Sequence, residues 1–296
     1  MEKISAVVAT FNNERTIRRC LDSLTLNHVD EVIVVDGDSS DNTREIAENY
    51  EFVKLIKGIK GIAKAKDLGW RSARFDLILY LDADAYIPEG TVGLLRRYLS
   101  TSNVAGVSCK VACANPKKIF ARLREFDALQ SYNEQFREKT IIECQVDPTI
   151  CGLFKKKALR DVDGFDLAYP YAEDLKLLYK LRNKGYRVLM VYEAAVYHYH
   201  PEDYRLAFRK HYFYGYGRGL LMRERRQEFY RTRVAVGTPF KFLARVLRRA
   251  AKGDGLILFP YIFYRPFVEA AYLIGYLRAK ANRSEMAQEV NRHPRV

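Results

Sequence analysis

The sequence predicts an α/β protein built on a doubly wound parallel sheet, with a mainly helical C-terminal extension. Three observations predict it. Between residues 4 and 84, short β-branched apolar runs alternate with amphipathic helical stretches, the rhythm of parallel strands joined by crossover helices. Three of those strands end in polar or acidic residues, at Thr10-Phe11-Asn12, Asp36 and Asp82-Ala83-Asp84, and ligands of such sheets bind at the carboxyl ends of the strands. The net charge of +14 is also concentrated at one end. Residues 201–296 carry 20 Lys/Arg against 8 Asp/Glu, a net +12, which leaves +2 for the first 200. The chain is therefore expected to divide into an α/β domain over residues 1–202 and a basic, aromatic helical extension over 203–296.

Each element has its own signal. ISAVVAT (Ile4–Thr10) reads as a buried parallel strand. Asn12–Leu26 reads as a helix with Ile17, Leu21 and Leu24 on one face, and Glu31–Asp36 as the second strand, followed by the polar loop GDSSDNT. Thr43–Tyr50 is helical, FVKLIK is a third strand, Ile62–Ala73 a helix, and Asp76–Asp84 a fourth strand that ends in acids. After Pro88 the pattern loosens. Val104–Val111 reads as a strand, Lys117–Glu138 as a helix, Asp174–Lys184 as a helix ended by Gly185, and YRVLMV as the last clear strand. Beyond Pro201 the chain turns helical.

With 296 residues, 48% hydrophobic and 29% charged, the chain is long enough to bury a sizeable core. Five cysteines without a CxxC pair point to free thiols in a reducing compartment. The apolar run in MEKISAVVATFNNERT is too short for a signal peptide, which places the expected site of action in the cytoplasm. The basic C-terminal part suits nucleic acid, anionic lipid or a phosphorylated substrate.

Three clusters carry possible chemistry. Asp82 and Asp84 follow the apolar run LILYL; two carboxylates at a strand end suit a hard cation, or a cation and a ribose hydroxyl. Read alone, they fit a solvated turn as well. Glu173-Asp174 opens a helix, where acids are ordinary partners of the helix dipole but also fit a general base at a pocket lip. His198 and His200 lie in AVYHYHPE, as metal ligands or as surface histidines.

In order along the chain stand TFNNE, VVDGDSSDNT, GIAKAKDLGWRSA, LDADA, TICGLFKKKALRDVDGFD, AEDLKL and VYHYH. That series, over roughly residues 4–200, resembles glycosyltransferase family 2. The resemblance implies a GT-A fold (nucleotide-diphospho-sugar transferase, Rossmann-like) and inverting sugar transfer from a UDP- or GDP-sugar. It implies that Thr10, Asn12 and Glu14 line the nucleotide pocket and that Asp36 meets the base or ribose. Asp82 would face the ribose or metal. Asp84, with His198 rather than His200, would hold Mg²⁺ or Mn²⁺. Asp174 would be the catalytic base, with Glu173 orienting the acceptor. Lys66 stands where many members carry Arg, and Asp67 where they carry Asn. Lysine cannot make Arg's bidentate contact, so the donor base stays open.

The Arg- and Tyr-rich stretch Asp203–Arg226 resembles the R-x-x-x-Y-G-x-G segment of membrane-associated exopolysaccharide-type members, whose glycines would let the chain pass close to the acceptor. Leu256–Leu277 is apolar but broken by Pro260, Arg265, Pro266 and Glu269, which predicts an interfacial hairpin rather than a spanning helix. The expected acceptor is lipid-linked or a polysaccharide, met at the cytoplasmic face of an anionic membrane. A nucleic-acid-binding protein using the basic part leaves the acidic clusters unexplained, so no nucleic-acid partner is expected. A nucleotidyltransferase would need a basic glycine loop where TFNNERT stands. Oligomeric state is not fixed by the sequence.

Overall fold

The computed structural model describes residues 2–101, 103–136, 139–145, 148–223 and 255–281. Residues 224–226 of the Arg/Tyr-rich stretch, Glu138 of the predicted helix, and most of the extension's connecting and terminal sequence lie outside the described residues. The described residues fall into two compact units, one drawn from Met1–Ala114 with Ala128–Tyr199, the other from Asn115–Asp127 with His200–Ser284.

The first unit is built on one sheet. Its strands are β1 (Ile4–Thr10), β2 (Glu31–Asp36), β3 (Val53–Ile56), β4 (Leu77–Leu81), β5 (Ala85–Tyr86), β6 (Val104–Cys113), β7 (Ile141–Glu143), β8 (Cys151–Lys155) and β9 (Arg187–His198). Their order is β3-β2-β1-β4-β8-β6-β9-β5, with β7 also paired to β9. The first four strands read from the sequence run parallel. The rest corrects the expectation of a wholly parallel sheet: β8 runs against β4 and β6, and β5 and β7 run against β9. An antiparallel neighbour needs no crossover helix, and β8 follows β7 with no described helix between them to announce it.

Alternation along β1 separates two cores. Ala6 and Val8 pack with Ile17, Leu21 and Leu24 of α1 (Ile17–Leu26), Ala47 of α2 (Thr43–Glu48), and Val92 and Leu95 of α4 (Thr91–Arg97). Val7 and Ala9 face Ala65 and Trp70 of α3 (Ile62–Ser72). On the same side lie Leu159 of α6 (Lys156–Asp161) and Leu177, Leu178 and Leu181 of α7 (Glu173–Asn183). Both faces of the sheet are therefore covered, which is why β1 and β2 are buried at every residue. α1 starts at Ile17 rather than at Asn12. Asn12 sits at φ 53° and the Asn13 carbonyl accepts from the N–H groups of Thr16 and Ile17, so residues 12–16 form a turn. All five cysteines are buried and none is in a disulfide.

The second unit takes the first turns of α5 (Ile119–Phe136), with α8 (Tyr204–Arg223) and α9 (Gly255–Ala281). Leu123, Phe126, Ala207, Tyr261, Tyr264 and Val268 form its core. The expected hairpin over Leu256–Leu277 is instead one helix with Pro260 and Pro266 inside it. Each proline removes one hydrogen bond and strains its turn, but packing outweighs that. Arg265 is taken up by both Asp127 oxygens at 2.6 Å and by Glu269 at 2.8 Å, and Tyr261 donates to Asp127 at 2.7 Å.

The glycines of α8 also have a different job from the expected one. A Cβ on Gly215 would overlap the Tyr272 carbonyl oxygen, and one on Gly275 the Tyr212 carbonyl oxygen. They let α8 and α9 approach backbone to backbone. Gly215→Ala should therefore destabilise the protein by about 1–3 kcal/mol through overpacking. Gly93→Ala, with open space around it in α4, should be neutral or stabilising by up to about 1 kcal/mol. Urea unfolding of both variants followed by circular dichroism checks the contrast.

Candidate active site

The loops after β1 and β2 form one rim because the register sets Thr10 beside Asp36. Asp36 is 0% exposed. Its Oδ1 accepts from the N–H groups of Asp38 and Ser39 at 3.1 and 3.0 Å, and its Oδ2 from the Ser39 hydroxyl. Asp38 is at φ 77°, a left-handed position that favours Gly. The DGDSSD order therefore places an aspartate rather than a glycine at this left-handed position. The two loops are laced together. Asn12 donates its N–H to the Ser39 hydroxyl at 2.9 Å and accepts the Ser40 N–H at 2.9 Å. Glu14 accepts the Asn42 N–H at 3.2 Å, and the Thr10 hydroxyl donates to Asn13 at 3.0 Å. Burial acts to raise the Asp41 carboxyl, but hydrogen bonds from Thr43 and the Glu14 N–H hold it below its ordinary value.

Next to this rim, β4 ends at Leu81, and Asp82 begins a turn in which the Ala85 N–H donates to the Asp82 carbonyl at 2.9 Å. Lys66 comes up from α3 and is 4% exposed. Its ammonium lies 3.3 Å from Asp82 Oδ1 and 3.5 Å from Glu173 Oε1, and donates to the Thr149 hydroxyl at 2.9 Å. Glu173 is 1% exposed. A buried cation requires paired anions, and here two supply the charge. The contact ties the strand end to the start of α7. Lys66 is thus an internal cation between two of the predicted site acids.

Asp82, Asp84 and His198 each offer one donor atom, all within 4.8 Å of one another, and Asp84 Oδ1 lies 3.2 Å from His198 Nε2. His198 is the last residue of β9, paired with Ala85. His200 takes no part in this group: its backbone N–H donates to Asn115 Oδ1 and its carbonyl accepts from Asn115 Nδ2, both at 2.9 Å. Two carboxylates and an imidazole suit a divalent cation. Beneath them Cys20 donates its thiol to the Asp82 carbonyl at 3.6 Å. Burial, then the charges of Asp84 and Asp82, push that thiol well up, so it stays protonated.

Asp174 is half-buried in the first turn of α7, where its Oδ1 accepts the Leu175 N–H at 2.7 Å. Ala172, just before the helix, is held at φ 62°, a strained position for a residue with a Cβ. The segment leading there is anchored by Asp67, a role with no signal in the sequence. Asp67 accepts from Trp70 Nε1 at 2.8 Å, from the Phe165 N–H at 3.1 Å and from Arg71 Nε at 2.7 Å. Thr149 and Ser39 also join the site without a sequence signal. The Thr149 contact spans 83 residues, and Ser39 is an ordinary member of a polar loop.

Replacing Lys66 by Met would take that cation away from Asp82 and Glu173. Loss of one partner from a buried ion pair costs about 3–5 kcal/mol, so Lys66→Met should lose that much stability in urea unfolding at neutral pH. Adding Glu173→Gln to it should recover part of the loss, because the amide carries no charge to be balanced.

Against known proteins, the sequence model of glycosyl transferase family 2 matches residues 5–163. The poly-beta-1,6-N-acetyl-D-glucosamine synthase of Staphylococcus aureus (strain COL) is 27% identical over 199 residues, which cover 64% of this chain and 48% of that synthase. The chain thus spans about half the length of that relative. The putative glycosyltransferase EpsH of Bacillus subtilis (strain 168) is 25% identical over 224 residues, covering 71% of this chain and 56% of that protein. Among solved structures, a mannosyltransferase from Pyrobaculum calidifontis in complex with GDP-Man and Mn²⁺ superposes with a TM-score of 0.68. It is 21% identical, over 96% of this chain and 88% of the other. The fold is therefore GT-A, and with the family model covering more than half of its length, the chain belongs to glycosyl transferase family 2.

Proposed function

We propose that this chain is an inverting glycosyltransferase that moves a sugar from a nucleoside-diphosphate sugar to an acceptor hydroxyl by single displacement. The observation that carries the reading is the Lys66 bridge, because it joins the Asp82–Asp84 strand end to the start of α7 in one site. Residues 1–202 carry this chemistry. Thr10, Asn12, Glu14 and Asp36 shape the nucleotide pocket. Asp82, Asp84 and His198 hold Mg²⁺ or Mn²⁺, which when bound would neutralise charge on the departing diphosphate. A GT-A relative solved with GDP-Man and Mn²⁺ supports a nucleoside-diphosphate-sugar donor, with a UDP- or GDP-sugar as our assignment, and a divalent ion.

Asp174 takes the acceptor proton as the oxygen attacks C1 from the face opposite the leaving group. The α7 dipole favours a carboxylate at that position, and the strained turn at Ala172 fixes where it stands. Glu173, buried against Lys66, sets the helix start and so orients Asp174 toward the acceptor. Asp174→Asn should lower turnover by about 10²–10⁴-fold while donor binding is retained, because the amide keeps the shape but cannot take the proton. EDTA should abolish turnover in the unmodified protein, and Mn²⁺ should restore it. Donor-dependent release of nucleoside diphosphate measures both, and near-normal turnover by the variant would remove Asp174 from the mechanism.

The acceptor we assign is lipid-linked or a polysaccharide, met at an anionic membrane surface on the cytoplasmic side through residues 203–296. The similarity to a poly-beta-1,6-N-acetyl-D-glucosamine synthase supports a polysaccharide product. No helix among the described residues is long and apolar enough to cross a membrane. On α9, however, Phe259 (71% exposed), Ile262, Phe263 (67%), Leu273, Ile274 and Leu277 are exposed. At 3.6 residues per turn they share one stripe about 27 Å long, opposite Tyr264, Val268 and Ala271 in the buried face. An apolar stripe in a segment of net +12 fits an interfacial helix on anionic lipid. The protein should float with anionic vesicles, less so in high salt, and the Phe259→Ser, Phe263→Ser double variant should lose most of that binding. Equal, negligible flotation with anionic and neutral vesicles would remove the membrane role.

A further inference from the structure

The two proposed metal ligands are held unequally: His198 ends β9, which pairs with β6 as far as Cys113↔His198, whereas Asp84 precedes a very short strand that pairs only with β9. β5 is two residues long, lies at the sheet edge, and pairs with β9 only through Ala85↔His198 and Tyr86↔Tyr197. One more bond, from the Tyr199 N–H to the Asp84 carbonyl at 2.9 Å, extends it. So short a ladder is marginal by backbone pairing alone. A ligand set, by contrast, must be held to within a fraction of an ångström to favour its ion.

Side chains from a third element close the ribbon. The Tyr86 ring stacks on Tyr197 with centroids 5.1 Å apart and planes 10° apart, and Tyr199 lies 6.5 Å from Tyr86. Arg19 of α1 lays its guanidinium over Tyr86, 3.6 Å from the ring centroid, and donates from Nη1 to the Tyr199 hydroxyl at 3.3 Å. It therefore grips the residue two positions after Asp84 and the residue directly after His198. A guanidinium can stack and donate at once, which an ammonium does poorly.

We propose that Arg19 is a positioning residue for the divalent cation: by clamping Tyr86 and Tyr199 it holds Asp84 and His198 in register. The inference rests on the metal reading of Asp82, Asp84 and His198. Its sign separates it from simple electrostatics. Removing a positive charge near a cation site tightens cation binding by Coulomb's law, whereas removing a clamp weakens it.

The test is calorimetric titration of the full chain with Mn²⁺ alone, without donor, alongside urea unfolding. Arg19→Ala should weaken Mn²⁺ binding about threefold to tenfold, with little change in the unfolding midpoint because Arg19 is exposed. Arg19→Lys should fall between the two. Tyr86→Leu should weaken binding similarly, and the double variant should add little, since both changes remove one contact. Unchanged or tighter Mn²⁺ binding in both Arg19→Ala and Tyr86→Leu overturns the clamp. Asp84→Asn serves as the reference: if it binds Mn²⁺ as well as the unmodified chain, the metal reading itself fails and the clamp falls with it.

Discussion

The site depends on one buried charge. Lys66 cannot be moved into the interior of an α/β unit without anions at hand, and the two it finds come from opposite ends of the chemistry. Asp82 follows β4, and Glu173 opens α7, 107 residues away from Lys66 in sequence. The bridge fixes where α7 begins relative to the strand end. Everything that follows from α7, including the position of Asp174, inherits that constraint. Each of the three charges is costly alone in such surroundings, so the arrangement persists as a set. It also keeps polar groups near the strand end without opening the core beneath them, where Cys20 stays a neutral thiol.

The parts of the fold that rest on local pattern were legible. β1, β2 and β4 are runs in which every residue is buried, and a largely apolar run of that length is what a strand covered on both faces requires. Asp82, Asp84 and Glu173-Asp174 were legible because a strand end and a helix start are places where acids are informative. Lys66 stood in the right segment, but its partners could not be read, since a pairing across 107 residues leaves no trace in spacing. β5, β7 and β8 escaped because two to five residues carry too little periodicity. The family resemblance favours His198 over His200, and the end of β9 gives the physical reason: two positions along the chain separate the Asp82–Asp84–His198 group from a backbone pair with Asn115.

The extension shows the limit of punctuation as a guide. Pro260, Arg265, Pro266 and Glu269 interrupt an apolar run in a way that predicts a bend, yet α9 runs through all four. These local signals lose to partners that the sequence does not juxtapose. Asp127 neutralises Arg265, and Gly215 and Gly275 allow a backbone approach that offsets the hydrogen bonds the prolines remove. Gly215, one of the glycines that suggested an opening toward an acceptor, is consumed in holding two helices together.

Burial also sorts the charged residues of the site into those that build it and those that can meet a ligand. Asp36 has no exposure and both oxygens engaged by Asp38 and Ser39, so its first effect is to set the conformation of the loop after β2. Lys66 is committed to Asp82, Glu173 and Thr149. A residue already saturated by internal partners discriminates poorly among ligands, because a new contact must displace an old one. On the proposed reading, donor choice then falls on the outward groups of the same loops, Asn12 and Glu14, and on the backbone between Asp36 and Asp41. Exchanging Lys66 for the arginine of other family members would not simply restore a base contact. It would place a larger, planar cation in a space sized for an ammonium, and change the position of α7 before it changed the nucleotide.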